Sequence, residues 1–152
     1  MSGSLVDRIS NDLTAALRAG EEVRVGTLRL LRSAIHNREI EKRGKGAALT
    51  EDDVAEVVAR EAKKRKESIH LFTEGKRQDL AEKETRELEV LAAYLPEQAS
   101  DEEVRRVVAA ALAVVKPASP KDFGKVMGEA MKTLKGRVET DAVSRLIKES
   151  LG

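Results

Sequence analysis

Pro96 divides the chain. Leu88, Leu91 and Leu95 recur at helical spacing up to it. Proline has no N–H to donate and crowds the residue before it, so the helix that carries those leucines must stop there. Four residues later Ser100-x-x-Glu103 has the form of a capping box, which opens a new helix. A chain punctuated in this way reads as two helical arrays. A larger N-terminal helical domain spans residues 1–95, a hinge lies near Tyr94–Ala99, and a smaller C-terminal domain of three helices spans 96–152. Only 2% of the residues are aromatic and 36% are charged, so Val, Ile, Leu and Ala must supply both cores. Ala and Leu with abundant Lys, Arg and Glu favour helix over sheet, and the expected class is all-α.

The N-terminal domain is expected to be an antiparallel bundle of about four helices joined by short turns. Ser4 with Asp7 starts the first, and Gly20 ends it. Its apolar stripe is Leu5, Ile9, Leu13 and Leu17, opposite Arg8, Asp12 and Arg18. The second runs from about Glu22 to Arg43, with Val25, Leu28, Leu31 and Ile35 inward and the polar end Asn37–Arg43 projecting into solvent. Thr50 caps the third, which reaches Glu74 with Val54, Val57, Val58, Ala62, Ile69 and Phe72 on its apolar side. Its segment Arg60–Lys66 carries charge all round and reads as solvated. Lys63, Lys64 and Lys66 are there either a secondary phosphate-contacting patch or an ordinary solvated helix surface. The fourth runs from about Arg77 to Leu95, with Leu80, Leu88, Leu91 and Leu95 inward and an exposed middle, Glu82–Glu87. The opening Met1-Ser2-Gly3-Ser4 reads in part as a foreign leader and carries no weight.

The C-terminal domain holds the one unusual surface. Its first helix follows Ser100, with Val104, Val107, Val108, Ala111 and Leu112 inward. Its last begins near Thr140 or Asp141 and carries Val143, Leu146 and Ile147. Between them Ser119 caps a helix over Pro120–Lys135. Wound at about 100° per residue, that helix puts Phe123, Val126, Met127, Ala130, Met131 and Leu134 on one side. Lys121, Gly124, Lys125, Gly128, Lys132 and Lys135 fall on the other, and Arg137 follows in the turn. Each helical glycine costs about 1 kcal/mol against alanine. Two such glycines on the solvent side suit close approach by a partner, and lysines beside them suit an anionic one such as a sugar-phosphate backbone. The other reading is that a helix of this same chain lies over Gly124 and Gly128.

Other chemistries find little support. The net charge is +1, so a polyanion would have to be met by a local patch. There is no cysteine, which excludes disulfides and thiolate metal sites and suits a reducing cytoplasm. No apolar run is long enough to span a bilayer, so no membrane partner is expected. His36 and His70 lie on different helices without matched ligand spacing, so no metal and no cofactor is expected. Nothing marks a nucleophile or a general acid–base pair.

In chain order, Thr27–Ile35 with Asn37–Ile40, Lys64–Ile69 through Gly75–Ala81 with Glu84 and Glu87, Tyr94–Gln98 with Ser100–Glu103, and Asp122–Gly128 leading to Lys135-Gly136-Arg137 resemble one family. It is the GatB/YqeY family: free-standing YqeY-like proteins that share a helical region with the tail of the GatB subunit of the tRNA-dependent amidotransferase. The resemblance covers nearly the whole chain. It implies a helical N-terminal bundle, a smaller helical domain and contact with tRNA through the latter. By similarity alone it also associates the chain with glutamine-dependent carbon–nitrogen ligase (amidotransferase) activity, although the catalytic parts of that enzyme lie elsewhere. Carried over by position, Lys121, Gly124, Lys125, Gly128, Lys132, Lys135 and Arg137 form the candidate tRNA surface. After Arg137 the family tends to read Ala-Asp-Gly where this chain has Val138-Glu139-Thr140, so the turn glycine is lost.

The expected function is therefore a cytoplasmic, monomeric tRNA-binding accessory protein, not catalytic alone, beside an amidotransferase or other translation proteins. The alternatives are a helical protein–protein adaptor and an amide-transfer enzyme in its own right.

Overall fold

The computed structural model describes residues 4–152, and the chain is all-α. Of the opening Met1–Ser4, residues 1–3 lie outside that range. Among the described residues there are seven α-helices and no strand: α1 Leu5–Ala19, α2 Glu22–Gly44, α3 Glu51–Glu74, α4 Gln78–Ala92, α5 Asp101–Val115, α6 Phe123–Leu134 and α7 Thr140–Leu151. A 3-10 turn, Pro120–Asp122, precedes α6. The helices form two compact units that part between Leu95 and Pro96.

Local chemistry sets several boundaries. Ser4 Oγ accepts from the Asp7 N–H at 3.2 Å and caps α1. Gly20, at φ +71°, closes it in the left-handed conformation that glycine tolerates best. Thr50 and Asp53 form a reciprocal capping box: Asp53 N–H donates to Thr50 Oγ1 at 3.1 Å, and Thr50 N–H donates to Asp53 Oδ2 at 2.9 Å. Ser100 Oγ accepts from Glu103 N–H at 3.1 Å. There the box is only half made, because the Glu103 carboxylate turns instead to Arg137 at 2.8 Å.

In the first unit α3 packs on α4, α1 on α2, and α2 on both α3 and α4. Its core joins Ile9, Leu13, Leu28, Leu31, Ile35, Val54, Val57, Val58, Ala62, Leu91 and Tyr94. Leu17 departs from the expected stripe and is half exposed, while Ala16 is fully buried. At 3.6 residues per turn a strict four-residue step drifts round the helix, and by the fourth member the core has passed to the neighbouring position. α4 ends at Ala92, short of Leu95; Tyr94 N–H and Leu95 N–H donate three residues back, which tightens the last turn.

Three surfaces expected in solvent are instead built into this unit. The polar end of α2 packs on the start of α3: Arg38 reaches Glu56 at 2.9 Å and Lys42 reaches Asp53 at 3.0 Å. The Asp53 carboxyl is held well below the usual carboxylate range, first by the Thr50 backbone N–H and then by Lys42. Within Arg60–Lys66, Glu61 and Arg65 are buried. Glu84 and Glu87 of α4 turn in to meet Arg65, so the middle of that helix is not all exposed. A charge run conceals this, because helical wheels give direction and not the polarity of what lies opposite. Arg8 and Asp12 are likewise engaged. Arg8 donates to the Ala93 carbonyl at 3.1 Å and stacks over the Tyr94 ring, whose hydroxyl donates to Asp12 at 2.5 Å. Burial, then Asp12, pushes the Tyr94 hydroxyl up to about 12.

In the second unit α6 packs against α5 and α7. Val104, Val108, Ala111, Val126, Ala130, Leu134, Val143 and Ile147 make its separate core. The α-helical part of the Ser119-capped segment begins at Phe123, not Pro120. Ser119 Oγ accepts from the Lys121 N–H at 3.3 Å, and the Asp122 carboxylate accepts from the Ala118 N–H at 2.8 Å; both bonds favour the tighter 3-10 turn.

Candidate nucleic-acid interface

The site follows from the registry of α6. Val126, Ala130 and Leu134 are buried, and Phe123, Met127 and Met131 are packed around them. That commitment turns Gly124, Lys125, Gly128 and Lys132 outward, and all four are exposed. A Cβ built on Gly124 or on Gly128 meets nothing within 4 Å. Among the described residues of this unit no helix lies over them, so the reading in which the glycines admit a neighbouring helix of the same unit falls away.

Lys121, Lys125, Lys132 and Lys135 are exposed around the bare strip. They are not naked charge. Lys125 Nζ stands 3.7 Å from Asp122, and Lys132 Nζ lies 2.8 Å from Glu129. The Asp122 carboxyl is held below its usual range by the Ala118 N–H and then by Lys125. Such exposed pairs contribute little, so an incoming phosphate can take the ammonium groups at small cost.

Arg137 is placed differently from the lysines. Its side chain is 24% exposed and its donors are in use. Nε donates to the Glu97 carbonyl at 2.9 Å, and one terminal nitrogen meets the Glu103 carboxylate at 2.8 Å. The Ala99 N–H donates to the Arg137 carbonyl at 2.7 Å, so segment 97–103 is strapped to the turn after α6. Gly136 makes that turn at φ +76°, and a Cβ there would stand 3.6 Å from Pro96 Cγ. Arg137 thus braces the turn after α6. Sequence spacing suggested the capping box and missed this brace, since nothing in it couples Glu103 to a residue 34 positions on.

The second basic run is divided. Lys63, Lys64 and Lys66 are exposed on α3, while Arg65 between them points inward. Lys64 pairs with Glu61 at 3.0 Å. His70 meets Glu74 at 3.1 Å on the same helix. His36 lies on α2, in the wall of a shallow groove shared with Val6 and Ser10 of α1. No group of three or more potential metal ligands is found among the described residues.

Comparison with known proteins places these features in context. A family model described as YqeY-like protein matches residues 6–151. The chain is similar to altered inheritance of mitochondria protein 41, mitochondrial, of Pyrenophora tritici-repentis, with 30% identity over 97% of this chain and 81% of that protein. The protein of the same name from Kluyveromyces lactis is 36% identical over 86% of this chain and 72% of its own length. That from Clavispora lusitaniae is 35% identical over 68% and 59%. The expectation of a cytoplasmic protein is corrected by these matches, since the relatives are named as mitochondrial. Absence of cysteine fits any reducing compartment and could not choose among them.

Proposed function

The chain belongs to the YqeY-like protein family, and on that premise we propose that it is a tRNA-binding accessory protein with no catalytic chemistry of its own. The observation that carries this reading is the uncovered Gly124/Gly128 strip edged by Lys121, Lys125, Lys132 and Lys135. Glycine brings the helix axis close to a ligand backbone, and mobile ammonium groups on either side neutralise its phosphates. Only 2% of the residues are aromatic, so base stacking contributes little and selectivity comes from the shape of the folded RNA. Lys63, Lys64 and Lys66 are a further phosphate contact in this reading. The names of the relatives favour mitochondria as the compartment. Action beside an amidotransferase follows from the family resemblance and belongs to the same proposal.

The test is a titration of total tRNA into labelled full-length chain, read by fluorescence anisotropy at two salt concentrations. Binding is expected to weaken steeply with salt. A Lys125→Glu/Lys132→Glu variant of unchanged helicity is expected to bind more weakly, with a salt slope shallower by about two phosphate contacts. Binding that is absent, or indifferent to salt, would reject the reading in favour of the protein–protein adaptor.

A further inference from the structure

Helix α2 carries two seams, and among the described residues of its own unit only one is covered. Leu28, Leu31 and Ile35 face the core. Roughly 160° round the helix, Val23, Gly26, Leu30, Ser33, Asn37 and Ile40 recur at alternating three- and four-residue steps within an arc of about 100°. All six are exposed. Val23, Leu30 and Ile40 are 41, 53 and 50% exposed, large values for apolar side chains on one line. A Cβ at Gly26 meets nothing within 4 Å, so the seam is open along its length. This is heptad spacing, with Val23, Leu30 and Asn37 in one series and Gly26, Ser33 and Ile40 in the other.

We propose that the second seam is covered by α2 of a second copy of this chain, running antiparallel about a two-fold axis near residues 31 and 32. In that register Leu30 of one copy faces Ser33 of the other, Asn37 faces Gly26, and Val23 faces Ile40. The central layers each set a large side chain against a small one, and the outer layers join two apolar ones. A parallel register would stack Gly26 on Gly26 beside Leu30 on Leu30, leaving a gap next to a bulge. The ends of the seam agree in charge. The antiparallel register brings Glu22 beside Arg43 of the second copy, at both ends of the seam. Arg43 is exposed and pairs with the exposed Glu39 one turn back, so it can be shared. Such an interface is isologous, which lets one helix face serve both partners. Six positions per copy bury on the order of 1,000 Å² in total, the low end for specific association. The chain therefore exchanges between monomer and dimer, contrary to the monomer expected from sequence. This surface is on α2 and is independent of the α6 strip.

Sedimentation equilibrium of the full chain over roughly a hundredfold range of concentration tests the proposal. The apparent mass is expected to climb toward twice that of the monomer. Leu30→Glu is expected to stay at the monomer mass, with the circular dichroism of the parent and, at concentrations where the parent is monomeric, its melting, because Leu30 supports no core. A parent chain that stays monomeric throughout overturns the proposal. So does a dimer that survives both Leu30→Glu and Ile40→Glu. Because the chain has no cysteine, introduced thiols report orientation cleanly. Gly26→Cys/Asn37→Cys is expected to form interchain disulfides, and cross-linking by Asn37→Cys alone would overturn the antiparallel register.

Discussion

Arg65 is 9% exposed and sits among three carboxylates. Its terminal nitrogen donates to Glu61 at 3.1 Å, and its Nε lies 3.5 Å from Glu87 and 4.0 Å from Glu84. One cation thus holds α4 to α3 while sharing its charge three ways. Arg65→Met keeps the volume and strands the acids, and is expected to lower the unfolding free energy by about 3–5 kcal/mol in urea denaturation. Loss of less than about 1 kcal/mol would mean that solvent already screens the cluster. Glu84 gives this group a pH dependence. Burial, then the neighbouring Glu87 charge, raises its carboxyl above the ordinary value. A raised carboxyl binds its proton more tightly in the folded state, so its favourable contribution is present at acid pH and lost as pH rises through the folded value. Glu84→Gln fixes the neutral form. It is expected to raise the melting temperature at pH 7, with the gain vanishing below about pH 4. Asp53 acts in the opposite sense. Its lowered carboxyl contributes stability that is present at neutral pH and is lost progressively as pH falls from the ordinary carboxylate range through the folded value.

Among the helices, α6 has its local propensity set against its exposed position. Gly124 and Gly128 are solvent-facing and helical, and an added methyl would touch nothing. Gly124→Ala/Gly128→Ala is therefore expected to stabilise the unit by about 1–2 kcal/mol in thermal melts. If the strip admits an RNA backbone, the same variant is expected to bind tRNA several-fold more weakly. Gain in stability with unchanged binding would assign the glycines no role in contact. That conflict was legible from residue types and a helical wheel alone. So were the all-α class, the caps at Ser4, Thr50 and Ser100, the glycine stop after α1 and the inward faces of α5, α6 and α7. Side-chain reach was not legible. Arg137 acts as a strap because the Glu97 carbonyl and the Glu103 carboxylate, distant in sequence, meet it within the second unit. Arg65 looked solvated because its partners Glu84 and Glu87 lie on the next helix. Leu17 left the core through the accumulated drift of a four-residue step.

At the scale of the molecule, we propose that the two compact units are separate domains, divided between Leu95 and Pro96. Each has its own apolar core, and the caps and straps of the second unit are made within it. Ser100 caps α5, Ala99 N–H binds the Arg137 carbonyl, and Arg137 returns to Glu97 and Glu103. Pro96 must stay with this unit, since it lies against the Gly136 turn. A fragment of residues 96–152 is close to the lower size at which a single core sustains folding, so its stability is expected to be marginal but cooperative. Circular dichroism is expected to show a helical fragment with a single melting transition below that of the full chain. It carries the whole α6 strip, so on the proposed tRNA-binding reading it is expected to keep the salt slope of the intact protein, less any share from Lys63, Lys64 and Lys66. A fragment that is unfolded, or that folds and binds with none of that slope, would place the function in the joined chain. A folded fragment with the full slope would confine RNA contact to the smaller unit and leave the larger one, with its open α2 seam, for assembly.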